Sequence, residues 1–217
     1  MWTVRVGNET VSAEYDAADD ERGIFVLAHG AGGTMNDRGV LAAAKAMRAA
    51  GLGVVRFNFP YKERKGGRPD PMPVLMDTVA AVAEHAYEEL TPARLFIGGR
   101  SMGGRAASML AAAGFDADGL LLLAYPLHPP NQFGKLRDTH LPQIRMPVLC
   151  FNGTRDEFCR RDLMVRTLTL VKPTWTMHWL DGADHSFHVL KSSGRTDAEL
   201  LDEVRAATAL WLDGLTA

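Results

Sequence analysis

The chain is poor in cysteine. Only Cys150 and Cys159 occur in 217 residues, too few for a disulfide framework. Cys150 lies in an apolar run, where a thiol packs as a small hydrophobe, so a reducing, cytoplasmic setting is expected. Long apolar runs are missing as well. None approaches the ~20 residues that span a bilayer, and no membrane partner is expected. The opening residues, Met1-Trp2-Thr3-Val4-Arg5-Val6, lack both the basic and the apolar region of a signal peptide. Charge of one sign does not dominate either: 24 Lys and Arg stand against 26 Asp and Glu, a formal net charge of −2. That balance gives no reason to expect nucleic acid or an anionic surface as a partner. Repeats, linkers and low-complexity stretches are absent. With 47% hydrophobic and 23% charged residues the composition is that of an ordinary globular protein. The length suits a single domain, residues 1–217, with a sizeable core.

What the chain does hold is an alternation of apolar runs with helical periods. Two short strands, 2–6 and 10–15, meet at Gly7-Asn8, a turn-forming pair. Residues 23–28 are continuously apolar, as a strand buried on both faces must be. A helix follows over 38–50, with Val40, Ala44 and Met47 on one face and Gly51 as its stop. A strand over 53–59 is closed by Pro60, and 61–72 reads as a loop. Residues 74–90 carry a clear helical period through Leu75, Val79, Val82, Ala86 and Leu90. Then come a strand over 94–98, an alanine-rich helix over 102–113 and a strand over 120–125. An aperiodic, proline-bearing segment over 126–145 leads to a strand over 147–152, a polar helix over about 157–171 and a strand over 175–180. The last helix opens on the capping box Thr196-Asp197-Ala198-Glu199. Its buried stripe is expected to be Leu200, Val204, Ala207 and Trp211. Such alternation argues for an α/β fold, a mostly parallel sheet with helices on both faces.

In a sheet of that kind, functional groups collect past the carboxyl ends of the strands. Past 24–28 comes His29-Gly30-Ala31-Gly32-Gly33, and past 94–98 comes Gly99-Arg100-Ser101-Met102-Gly103. Past 147–152 comes Gly153-Thr154-Arg155-Asp156, and past 175–180 comes Asp181-Gly182-Ala183-Asp184-His185. The Gly-x-Ser-x-Gly spacing between strand and helix is that of a nucleophile elbow, whose glycines let the backbone turn against its neighbours. A serine hydroxyl needs a base to take its proton, and an imidazole needs a carboxylate to fix its tautomer. Ser101, His185 and Asp156 supply these three, in the chain order Ser, Asp, His associated with α/β-hydrolases.

Each residue alone has a plainer reading. Ser101 and Asp156 suit helix caps, and His185 suits a loop. Three such coincidences in the right order favour catalysis. Asp162 falls inside a helix, Asp181 and Asp184 sit too close to His185, and His188 lies three residues past His185, one short step inside a stretch that reads as the start of a helix. His128 is the strongest rival base and is assigned to the pocket wall. Two N–H donors should receive the oxyanion: that of Met102, after the nucleophile, and one from the 29–33 turn, with Ala31 the expected donor. That turn lacks both the Gly-x-Gly-x-x-Gly spacing and the Lys-Ser/Thr ending of a phosphate loop. No cofactor or metal is expected.

On the stretches His29–Gly33, Arg56-Phe57-Asn58-Phe59-Pro60-Tyr61, Gly99–Gly104, Tyr125-Pro126-Leu127-His128-Pro129-Pro130, Gly153–Asp156 and Gly182–His185, the chain resembles the α/β-hydrolase superfamily from residue 24 to its end. More narrowly, it resembles the small dienelactone-hydrolase-like branch that includes relatives of testis-expressed protein 30 and NSL-complex subunit 3. The resemblance implies the α/β-hydrolase fold, with Ser101 as nucleophile, His185 as general base and Asp156 as its orienting acid. It supplies no substrate. Only about twenty residues separate the strands at 120–125 and 147–152, where many lipases insert a lid, so a lid-free, open site for a small soluble acyl substrate is expected. His29, Tyr61 and His128 are expected to bind that substrate, and the basic 61–68 loop to be solvated surface. The expected activity is carboxylesterase, thioesterase or lactonase cleavage through an acyl-serine. The alternatives are a catalytically silent binding or scaffold protein and an acyltransferase.

Overall fold

The computed structural model describes residues 1–171 and 175–215. Eight strands form one sheet: β1 (Trp2–Val6), β2 (Glu9–Asp16), β3 (Ile24–Ala28), β4 (Gly53–Phe57), β5 (Leu95–Arg100), β6 (Gly119–Leu123), β7 (Val148–Gly153) and β8 (Trp175–Leu180). Their order across the sheet is β1-β2-β4-β3-β5-β6-β7-β8. The opening hairpin pairs antiparallel, as does β2 with β4, and every pairing from β4 to β8 is parallel. All residues of β3, β4, β6 and β7 are buried. The unbroken apolar sequence of β3 and β6 follows from cover on both faces, whereas β4 and β7 each bury one polar side chain, Arg56 and Asn152.

The helices are α1 (Arg38–Ala49), α2 (Pro60–Glu63), α3 (Met72–Leu90), α4 (Met102–Ala112), α5 (Arg161–Leu168) and α6 (Asp197–Gly214). On one face of the sheet, Val79 and Val82 of α3 and Ala106 of α4 pack against Val26, Ile97 and Leu122. On the other, Val40 and Met47 of α1 and Leu200 and Val204 of α6 pack against Phe25, Phe96 and Phe151. Each fully buried side chain of this size contributes about 1.5–3 kcal/mol. No helix among the described residues is long and apolar enough to cross a membrane.

Several boundaries differ from the sequence expectation, each for a local reason. β4 stops at Phe57; the next residue, Asn58, still donates its N–H to the Ser12 carbonyl of β2 at 3.0 Å, while its Oδ1 accepts the Met35 N–H at 2.9 Å. The loop expected over 61–72 begins instead with α2, for which Pro60 has a preset φ at the first helical position. The α5 helix is shorter than 157–171, since the Phe158 and Arg160 N–H groups donate to Asp156 Oδ1 and His128 Nε2. The α6 stripe is Leu200, Val204, Thr208 and Leu212, with Ala207 and Trp211 half-buried beside it. A buried threonine is tolerated there because its Oγ1 donates to the Val204 carbonyl at 2.8 Å.

The sheet order positions the site. The chain leaves β3 for β4 on one side, then crosses to β5 on the other, so β3 lies between them at a topological switch point. Ala28 pairs with Gly99. The 29–33 turn and the residues after β5 therefore emerge side by side.

Candidate active site

Ser101 sits at φ 49° and ψ −114°, a conformation that costs a residue with a side chain roughly 1–3 kcal/mol. The surroundings impose it. Its N–H donates to the Leu123 carbonyl at 2.9 Å, which hooks the turn to the end of β6. A Cβ at Gly99 would lie 2.4 Å from the Ala28 oxygen, and one at Gly103 only 2.6 Å from the His29 oxygen. Strand, turn and helix thus touch backbone to backbone. Although Ser101 occupies the N-cap position of α4, its side chain makes no capping bond. The hydroxyl faces a histidine instead.

That histidine is His185, with Nε2 2.9 Å from Ser101 Oγ. Its Nδ1 lies 2.9 Å from both carboxylate oxygens of Asp156. Since a carboxylate only accepts, Nδ1 carries the proton and Nε2 is left to accept the serine O–H. The Asp156 side chain is fully buried. Asn152 Nδ2 donates to its Oδ2 at 3.0 Å and the Phe158 N–H to its Oδ1 at 2.8 Å, which fixes the carboxylate plane. Asn152 is itself held by the backbone of Tyr125. The Phe158 ring lies 4.3 Å from the imidazole. The loop carrying His185 is shaped by Asp184, whose Oδ1 accepts the N–H groups of Ser186 and His188.

Two N–H groups near Ser101, one in sequence and one on the neighbouring turn, are the candidates for receiving an oxyanion. Met102 is the first residue of α4, so its N–H has no intrahelical acceptor. The 29–33 turn passes alongside, with a Cβ built at Gly30 only 3.7 Å from Ser101 Cβ. Among the described residues, the Ala31 N–H has no protein acceptor. The turn is held rigidly: the Gly30 carbonyl accepts from the Gly33 N–H at 3.0 Å and from His29 Nδ1 at 2.8 Å. The Ala31 carbonyl accepts from the Tyr61 hydroxyl at 2.7 Å.

His29, Tyr61 and His128 do not face the cleft. His29 and His128 have no exposed surface and Tyr61 almost none. His29 Nε2 accepts the Phe59 N–H at 3.2 Å, so both its ring nitrogens are used. Burial lowers its pKa, which suits an imidazole whose Nε2 must accept. His128 is built the same way, with Nδ1 on the Pro129 carbonyl and Nε2 accepting from the Arg160 N–H. The three brace the loops around the site, where sequence reasoning had placed them against substrate. Burial also raises the Tyr61 hydroxyl to about 12, so it stays a donor. In the basic loop Arg64 is paired with Glu9 and Asp70, and Lys62 Nζ reaches the Gly32 carbonyl. Asp162 pairs with Arg160 on the surface, and His188 pairs with Asp197 in a loop.

Ser101, His185, the 30–33 turn, Phe158 and Arg100 line an open cleft of about 720 Å³. A hollow of about 810 Å³ at the amino ends of β5 and β6, lined by Glu84, Glu88, Asp116 and Asp118 among others, has neither nucleophile nor histidine. Among the described residues no three His, Cys, Asp or Glu side chains are grouped to hold a metal ion.

Residues 21–213 match the family described as alpha/beta hydrolase domain. The chain belongs to the alpha/beta-hydrolase family. Solved structures of similar fold include Est1E from Butyrivibrio proteoclasticus with ferulic acid bound, at 15% identity and a TM-score of 0.80, covering 99% of each chain. A dienelactone hydrolase from Anabaena variabilis matches at 17% identity and a TM-score of 0.74, over 98% of this chain and 95% of that one. A serine hydrolase without a lid from Xanthomonas campestris matches at 23% identity and 0.73, over 95% and 90%. This alpha/beta hydrolase likewise has no inserted helical lid between β6 and β7. Residues 124–147 hold one short 3₁₀ turn, Leu141–Gln143, as their only regular helix.

Sequence reasoning missed Asn152, Phe158 and Arg100. The signal for Asn152 was present, as a lone amide closing the apolar run 148–151. Phe158 and Arg100 had none, because their contacts with His185 bring together residues distant in sequence.

Proposed function

We propose that the protein is a serine hydrolase that cleaves a small ester, thioester or lactone through an acyl-Ser101 intermediate. The observation that carries this reading is the unbroken hydrogen-bonded line from Ser101 Oγ through His185 to the buried Asp156, ending at a serine held in a strained turn. His185 Nε2 takes the hydroxyl proton as Oγ attacks the substrate carbonyl, and Asp156 steadies the imidazolium that forms. General-base help of this kind is worth about 10²–10⁴-fold. The N–H groups of Ala31 and Met102 receive the oxyanion, each worth about 10²–10³-fold. The imidazolium then gives its proton to the leaving alcohol or thiol. Water, deprotonated by the same nitrogen, releases the acid and restores Ser101.

The open cleft supports a small, water-soluble acyl substrate. A dienelactone hydrolase and a lid-less serine hydrolase among the structures of similar fold are in keeping with that class. Labelling with a fluorophosphonate probe tests the reading. The native protein should be labelled and Ser101→Ala should not. Labelling that persists in Ser101→Ala, or is absent from the native protein, would sink it.

A further inference from the structure

Arg100, the last residue of β5, is the chain neighbour of Ser101. Its guanidinium lines the same cleft. Among the described residues its side chain makes one hydrogen bond, from Nη2 to the His185 carbonyl at 3.1 Å, and one of its faces covers the Phe187 ring at 5.1 Å. A guanidinium has five N–H donors, so most of its capacity is unused. Among the described residues no carboxylate lies within ion-pairing reach of it. Burial pulls its pKa down, and Asp156, Asp184 and Asp37 oppose this only through longer-range attraction. The buried Arg56 shows the contrast, since Glu14 and Asp16 both hold it. Arg100 is half-buried at the cleft wall, so its unused donors stay within reach of a ligand.

The amino end of α1 lies against this guanidinium. A Cβ added at Gly39 would come 3.1 Å from Nη1 and 3.4 Å from Cζ, so the missing side chain leaves a small cradle there. Asp37, at the N-cap, makes no capping bond and its carboxylate accepts from the Thr34 hydroxyl at 3.1 Å. Among the described residues the N–H groups of Arg38, Gly39 and Val40 therefore have no acceptor, at the positive end of the helix dipole. Guanidinium and helix end together offer N–H donors on the wall that also holds Ser101, while Asp37 and Asp197 line the same cleft.

We propose that Arg100 and the uncapped amino end of α1 form a subsite for a carboxylate at the far end of the substrate's acyl chain. A planar guanidinium matches a carboxylate in two-pronged fashion. A dianionic phosphate fits less well, because Asp37 and Asp184 are close enough to act on the same space. The inference rests on Ser101 being the nucleophile. In that arrangement the acyl chain spans from Ser101 to Arg100 and the alcohol leaves toward solvent. The subsite then separates half-esters of dicarboxylic acids from neutral esters of the same length.

The test uses the full chain and matched pairs of methyl esters: the monomethyl esters of succinic, glutaric and adipic acid against methyl butanoate, pentanoate and hexanoate. Acid release is followed by titration. For the best pair, native kcat/KM should favour the carboxylated ester by about tenfold or more, the range a charge-assisted bond supports. In Arg100→Gln that ratio should fall to about one, chiefly through KM of the half-ester, while Arg100→Lys keeps part of it. Gly39→Ala, which fills the cradle and favours the helix, should lower the ratio without loss of stability. A native ratio near one overturns the subsite, as does an Arg100→Gln variant that loses both esters equally, since Arg100 would then only brace the His185 loop. Failure of fluorophosphonate labelling would instead overturn the hydrolase reading, so the two failures are distinguishable.

Discussion

The Nδ1 of His29 lies 2.8 Å from the Gly30 carbonyl oxygen, and that bond sets the direction in which the Ala31 N–H points. The carbonyl of residue 30 and the N–H of residue 31 belong to one planar peptide, so pinning the oxygen aims the donor. His29→Leu keeps the apolar bulk but removes one of the two bonds on that oxygen, leaving only that from the Gly33 N–H, and leaves the Phe59 N–H unpaired. The expected result is a fall in kcat of about tenfold or more, bounded by the 10²–10³-fold worth of one oxyanion donor, with KM little changed. His29→Asn, whose amide can still donate locally, should retain more. Steady-state kinetics on a short acyl ester decide. A loss carried by KM alone would put His29 back at the substrate.

Asp156→Asn separates chemistry from folding. The buried carboxylate serves Asn152, the Phe158 N–H and His185. An amide oxygen can keep the Phe158 bond, but its NH₂ turned toward His185 Nδ1 forces the proton to Nε2, where Ser101 needs an acceptor. The expected drop in kcat is roughly 10³–10⁴-fold, with a urea midpoint near that of the native protein. A variant retaining a tenth of native turnover would show that Asp156 does not orient the base.

Acid should weaken the fold through histidines held neutral. Burial, aided by the charge of Arg105, lowers the His140 pKa to about 4, against about 6.5 in an unfolded chain. The folded state then binds fewer protons, so stability is full above pH 6.5 and falls as pH drops toward 4. The loss attributable to His140 is at most about 3 kcal/mol. Buried His29 acts with the same sign. Urea unfolding at pH 7.5, 6 and 5 should show a falling midpoint, and His140→Gln should flatten part of that slope. An unchanged slope in His140→Gln would place the acid sensitivity elsewhere.

Much of this architecture is legible in the sequence because burial writes itself as pattern. Strands β3 and β6 are apolar throughout, and β7 as far as Phe151, since both faces are covered, and the capping box of α6 is formed as read. The order of Ser101, Asp156 and His185 past three strand ends survives because a parallel sheet sends those ends to one edge. What the sequence does not show is which polar side chains spend their bonds on the protein. His29 and His128 look like ligands in a linear reading, yet each has both ring nitrogens paired with main chain. Thr208 hides the lower half of the α6 stripe, because a threonine that satisfies itself breaks the apolar period without breaking the helix. Arg100 is the reverse case: only the folded chain reveals that, among the described residues, no carboxylate pairs with it.

The close approach of α4 to β3 gives a last test, in which two effects of opposite sign compete at Gly103. Alanine in a helix interior is favoured over glycine by about 1 kcal/mol. A Cβ at Gly103, however, would lie 2.6 Å from the His29 oxygen and 2.7 Å from Ala28 Cβ, and neither is the end of a flexible side chain. Overpacking of this kind costs about 1–3 kcal/mol, so the clash should win and Gly103→Ala should be less stable than the native protein. Relief requires α4 to slide away from β3, which carries Ser101 and the Met102 N–H out of line with His185 and the 29–33 turn. The rate of fluorophosphonate labelling should therefore fall along with the urea midpoint. Gly134→Ala is the control, since nothing lies within 4 Å of a Cβ there, and it should change neither quantity. If Gly103→Ala matched the control in both, the backbone contact between α4 and β3 would not be what holds the serine in place.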